Sequence, residues 1–186
     1  MKSFAVTVAA LCSVASAFPF SLTPWAVQTP PPAGTQLYQL QSKSSVTAVN
    51  NQWVSLKTGS TAYGLASTQA AATKFFVNLY KPTGTYSFHN ADDTRQVALQ
   101  GKDSVLLNVI DVTNPNTDII PGGTLMEWAT FTMDGNVLGV KDGSTLTNRT
   151  FVAIQATGGY NLAFYDGASN TTTAVNPITL SIVKTT

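Results

Sequence analysis

The chain has 186 residues, ten Lys or Arg against nine Asp or Glu, one histidine, one cysteine and a hydrophobic fraction of 44%. A net charge of +1 without a basic cluster excludes the nucleic-acid and anionic-lipid surfaces that clustered Lys and Arg create. The single cysteine, Cys12, excludes a disulfide within the chain and a multi-cysteine metal site.

Residues 1–17 read as a secretory signal peptide. Met1-Lys2 is a short positive start, Phe4 to Val14 is apolar, and Ala15-Ser16-Ala17 has the small-x-small pattern that precedes cleavage. Export would remove Cys12 and leave a cysteine-free mature chain in an oxidising compartment. The expected localisation is therefore extracellular or cell wall. No later apolar run reaches the length of a membrane span, and the polar end Ile182-Val183-Lys184-Thr185-Thr186 lacks the hydrophobic tail of a lipid-anchor signal.

Residues 18–34 hold five of the nine prolines, among them Pro30-Pro31-Pro32, and read as an arm, linker or propeptide of extended backbone. Residues 35–186 form one domain, large enough to be stable without staples. Here short β-type runs alternate with Gly, Asn, Asp and Pro: Val54-Ser55-Leu56, Val97-Ala98-Leu99, Val105 to Val109, and Ile178 to Ile182 have the period of two that half-buried strands require. Asp134-Gly135, Asp142-Gly143 and Asp166-Gly167 supply turn chemistry. Ala66 to Thr73 tolerates one turn of helix.

The domain also repeats itself. Phe76-Val77-Asn78-Leu79 matches Phe151-Val152-Ala153-Ile154 at a spacing of 75, and Thr83 to Phe88 matches Thr157 to Leu162 at 74. The match predicts equivalent positions for Phe76 and Phe151. Weaker hairpins at Val97 to Gly101 and Phe131 to Gly135 add a third unit. The expectation is an all-β domain of about a dozen short antiparallel strands, with a trefoil-like barrel favoured and a two-sheet sandwich as the alternative.

His89, in Phe88-His89-Asn90-Ala91-Asp92-Asp93, reads as a surface histidine where a strand enters a turn. A Ser-His-Asp triad would have to use it, and no Gly-x-Ser-x-Gly elbow is present. Glu127, the sole glutamate, stands beside Trp128, and half of a glycosidase carboxyl pair would look so; no spacing selects an aspartate partner, and the structural reading is preferred. No catalytic residue, metal site or cofactor is assigned. Trp25, Trp53 and Trp128 are candidate ligand-contacting aromatics, since sugars stack on exposed rings. Asn148 and Asn170 open N-glycosylation sequons. Ile119 and Ile120, in the Asn114 to Gly123 loop, are candidates for a protein-binding surface.

Tyr160-Asn161-Leu162-Ala163-Phe164 followed by Pro177-Ile178-Thr179-Leu180, with Thr130 to Leu138 before them, resembles the small secreted cell-wall proteins of filamentous fungi named for phialide development. The resemblance covers about the C-terminal third of the chain; it implies secretion and wall association, and it carries over no catalytic residue. The functional expectation is a secreted, non-catalytic wall-associated or glycan-binding protein whose partner is a wall polysaccharide. The alternative is a module that binds an extracellular protein, as an effector or protease inhibitor does. A glycoside hydrolase built on Glu127 comes last.

Overall fold

Alternation in the sequence becomes alternation in burial. In the last strand Ile178, Leu180 and Ile182 are buried while Pro177 and Thr179 are exposed, because successive side chains of an extended backbone point to opposite faces. The computed structural model describes residues 30–114 and 120–185. Within them the chain is all-β, with thirteen strands: β1 Tyr38–Lys43, β2 Trp53–Leu56, β3 Tyr63–Ala66, β4 Phe75–Tyr80, β5 Thr85–Asn90, β6 Arg95–Gly101, β7 Leu106–Thr113, β8 Leu125–Glu127, β9 Phe131–Asp134, β10 Val137–Val140, β11 Thr150–Ala156, β12 Gly159–Tyr165 and β13 Val175–Lys184. Gln69–Ala71 makes the single helical turn expected near Ala66 to Thr73, and a second, unanticipated one lies at Thr47–Val49.

Every pairing is antiparallel, and the strands form one sheet. The pairings β1–β4–β5–β6–β7–β12–β11–β13–β1 run in a ring. The β2–β3 hairpin links β1 to β12, the β9–β10 hairpin links β5 to β13, and β8 extends β6. A ring with attached hairpins is compatible with both a trefoil-like barrel and two packed sheets. At the β9–β10 turn, Asp134 pairs with Val137, so Gly135 and Asn136 alone reverse the chain, with φ of 59° and 63°. Two consecutive positive φ values are what a tight hairpin with the strand's own twist demands.

The core is a train of aromatic rings. Tyr63 meets Phe75 at 5.7 Å, Phe75 meets Phe88 at 6.0 Å, and Phe88 meets Phe131 at 5.6 Å. Leu40, Val54, Leu99, Leu107 and Leu180 close around them. At the margin, buried Asp111 is held by the Tyr63 hydroxyl, which donates to it at 3.0 Å, and by Arg95.

The internal repeat fails on its faces. Phe76 and Phe151 are both buried, at 5% and 3% exposure. Phe151 belongs to the central core, whereas on β4 it is Phe75 that does, and alternation turns Phe76 to the opposite, outer face. Likewise Val77 packs on the core while Val152 lies outside that cluster. Pairing carries Phe76 with His89 onto Phe151 with Phe164 at a spacing of 75, whereas the second-strand match at 74 sets Phe88 on Leu162, both core residues, so the two halves of the match disagree by one residue and the first-strand half has the faces exchanged. A one-residue slip exchanges every side chain between faces, and the residue-level duplication is a chance match.

Candidate functional site

A cleft of about 790 Å³ opens where the β4–β5 turn meets the segments leaving β8 and β10. Tyr80, Pro82, Thr83 and Thr85 form one wall, Trp128, Ala129 and Thr130 a second, and Lys141, Asp142 and Gly143 a third. Its size is that of a site for a small molecule or a short oligomer. Tyr80 and Trp128 are 51% and 38% exposed, and so offer ring faces to solvent.

The wall between β8 and β9 is shaped by strain. Ala129 has φ of 60°, a conformation that side-chain-bearing residues seldom adopt, and it reverses the chain between Trp128 and Thr130. The reversal is fixed by the Thr85 hydroxyl, which donates to the Ala129 carbonyl, and by the Lys141 N–H, which donates to the Thr130 carbonyl at 2.7 Å. Trp128 therefore stays outside the core.

Behind the wall sits a charged cluster. Arg149 Nη1 donates to both carboxylate oxygens of Asp142 at 2.6 Å, and the Ser144 N–H donates to Asp142 at 3.0 Å. Burial pushes the Asp142 carboxyl up, but these hydrogen bonds and the Arg149 charge outweigh it and hold it below its ordinary value. Glu127 behaves in the opposite way: burial, then the Asp142 charge, raise it above the usual carboxylate range, against the pull of Arg149. Two carboxyls in one cluster are thus pushed apart, with the weaker base, Asp142, charged and Glu127 inclined to keep its proton. Glu127 Oε2 and Thr130 Oγ1 are the buried side-chain polar atoms without a hydrogen-bond partner among the described residues. Both belong to the segment carrying Trp128, and Thr130 lines the cleft.

Of the aromatic candidates, Trp128 lines this cleft; Trp53 is half-buried at the head of β2, opposite Gln41 and Ala66, and takes no part in it. Trp25 and Ile119 lie outside the described residues, while Ile120 is exposed. Asn148 and Asn170 are both exposed in loops. Two sequence readings need correction. His89 is no surface residue: it is 4% exposed, inside β5, because alternation places it on the covered outer face of that strand. Asp142 is no ordinary turn aspartate either, since Arg149 reaches it from the start of β11 and brings it to Glu127. Only the Asp142-Gly143 turn was legible as a motif; its partners were not. Comparison with protein-family models, with curated proteins and with solved structures finds no match to this chain.

Proposed function

We propose that the protein is a secreted glycan-binding protein of a cell-wall setting, and that the Trp128 cleft is its binding site. The observation that carries the reading is the pairing of exposed rings with a buried polar atom that lacks a partner. Tyr80 and Trp128 provide faces for the apolar side of a sugar ring. Thr130 Oγ1, costly to bury unmade, provides hydrogen-bonding capacity that a sugar hydroxyl would satisfy, and Lys141 and Asp142 add charged edges. The signal-like start at residues 1–17 supports export, and the near-neutral charge suits an uncharged polysaccharide.

The test is binding of the purified protein to insoluble chitin, glucan and mannan. Retention on at least one of them is expected, with Trp128→Ala weakening it about tenfold or more, the equivalent of about 1.4 kcal/mol. Because Trp128 is exposed, the variant should melt where the parent does. Retention on none of the three, or retention unchanged in a Tyr80→Ala/Trp128→Ala double variant, would remove the cleft from consideration.

A further inference from the structure

The outer face of the β4–β5 hairpin carries a second polar constellation beyond the cleft. Thr85, Ser87 and His89 share one face of β5, and their partners across the hairpin are Tyr80, Asn78 and Phe76. Thr85 and Tyr80 line the cleft, and Ser87 follows Thr85 along the strand at roughly 7 Å, the length of one full pleat. His89 stacks on Phe76 with ring centroids 5.1 Å apart, which fixes the plane of the imidazole. Its Nε2 lies 2.6 Å from Ser87 Oγ, and its Nδ1 lies 2.9 Å from Asp93 Oδ1.

Asp93 reaches back to the ring from the turn between β5 and β6. It does so with φ of 62°, a strained value that the turn sustains. Asn114, just past β7, holds it there: its Nδ2 donates to the Asp93 carbonyl at 3.1 Å and to Oδ1, and lies 3.0 Å from His89 Nδ1. With the imidazole proton on Nδ1 and directed at the carboxylate, Nε2 presents its lone pair to the serine hydroxyl. Burial holds His89 below its ordinary value, against the pull of Asp93, so the ring is neutral, as a base must be.

We propose that Ser87 is the nucleophile of a second, hydrolytic site, with His89 as its general base and Asp93 as the positioning residue, and that its substrate is a small acyl ester. Ser87 Oγ attacks the ester carbonyl while its proton passes to His89 Nε2. Collapse of the tetrahedral adduct breaks the bond to the alcohol oxygen, which leaves with that proton. Water then gives a proton to Nε2 and attacks the acyl-serine, the Oγ–C bond breaks, and Ser87 takes the proton back as the carboxylic acid departs. Ester and water become acid and alcohol, with no further reactant. Asn78 Nδ2, 3.5 Å from Nε2 on an exposed side chain, is the donor placed to meet the carbonyl oxygen as it gains charge.

The surroundings limit the acyl group. Ser87 is 8% exposed, and its neighbours Asn78 and Asp93, with Phe76 and Val77, line a cavity of about 240 Å³ under Pro30, Pro31 and Pro32, so that only a small acyl group could approach the hydroxyl from that side. On the other side the strand leads to Thr85 and the cleft. That the alcohol is a sugar hydroxyl rests on the glycan reading above; the nucleophile assignment does not.

The experiment treats the full chain with a fluorophosphonate probe and maps the adduct by peptide mass spectrometry, in the parent and in Pro31→Gly, which loosens the overlying segment. The expected result is a phosphonyl group on Ser87, formed as the Oγ–P bond replaces P–F, together with hydrolysis of p-nitrophenyl acetate that Ser87→Ala reduces at least a hundredfold. His89→Gln should slow labelling to a similar degree. Asp93→Asn should move the acid limb of the labelling-rate profile to lower pH, since the carboxylate is the charge that raises the proton affinity of the ring. No adduct on Ser87 in either parent or Pro31→Gly overturns the proposal, as does an undiminished ester rate in Ser87→Ala. Labelling in a chain that retains no polysaccharide would support the serine site and remove the sugar from it; polysaccharide binding without labelling would do the reverse.

Discussion

Arg149 grips Asp142 through both carboxylate oxygens at 2.6 Å while its guanidinium carbon rests 4.6 Å above the Phe164 ring. The pair ties the loop after β10 to the start of β11 and places a charge behind the cleft. Both side chains are less than a tenth exposed, so neither recovers its hydration if the other is removed.

Arg149→Met should therefore cost about 3–5 kcal/mol, the scale of breaking a buried pair from one side. Arg149→Lys should recover only part of it, because an ammonium does not reproduce the stacking of the planar guanidinium on Phe164. Urea unfolding of the three proteins measures this. A cost under about 1 kcal/mol for Arg149→Met would mean that the pair is solvated and the cleft wall is held by other contacts.

Glu127 gives this cluster a pH dependence with a definite sign. Its folded-state value is raised above 4.5, so the native protein keeps a proton that the unfolded chain has already released. The contribution is intact below the ordinary value and is lost as pH rises through the raised one. Glu127→Gln removes the titration. The variant should melt above the parent at about pH 7, with the difference closing as pH is lowered towards 4. A difference that stays constant across that range would show that Glu127 does not titrate in the native state at a raised value.

His89 contributes with the opposite slope. Burial lowers its folded-state value below 6.5, so acid drives protons onto the unfolded chain first. Stability is complete above 6.5 and falls as pH drops from there towards the folded value. Between about pH 7 and 5 the melting temperature of His89→Gln should fall less steeply than that of the parent. Equal slopes would assign the acid sensitivity to other groups.

The strands were legible because their signal is local. Ile178, Leu180 and Ile182 report their face by alternation alone, and Asp134-Gly135 announces its hairpin through the backbone it permits. The clusters were not, because each is assembled across the sheet. Glu127 ends β8, whereas Asp142 and Arg149 belong to the β10–β11 connection, and only the packing of those two segments brings them together. For Ser87 and His89 a signal did exist: two residues apart on one strand, they had to share a face, and an Asp four residues beyond the histidine lay within reach of a turn. A glycine elbow belongs to a strand-to-helix geometry and has no counterpart on this strand. Trp53 and Trp128 were equivalent in sequence and diverged through Ala129, whose positive φ no local pattern announces.

Phe76 and Phe151 provide the last test, because they are similarly buried and differ in what they cover. Phe151 packs in the central core with its ring 4.9 Å from Phe164, so Phe151→Ala should cost about 3–5 kcal/mol by opening a cavity among side chains that cannot collapse into it. Phe76 lies on the outer face against His89 and under Pro30 to Pro32, a thinner layer that closes more readily, so its truncation should fall near 3 kcal/mol or below. The two variants separate further on the serine. Phe76→Ala frees the imidazole plane and should slow phosphonylation of Ser87 at least tenfold under conditions where the protein is fully folded, whereas Phe151→Ala, on the other side of the sheet, should leave that rate within about twofold. Equal labelling rates in the two would mean that the ring of His89 is aimed by Asp93 and Ser87 alone, and that its stacking on Phe76 serves only the packing of the outer face.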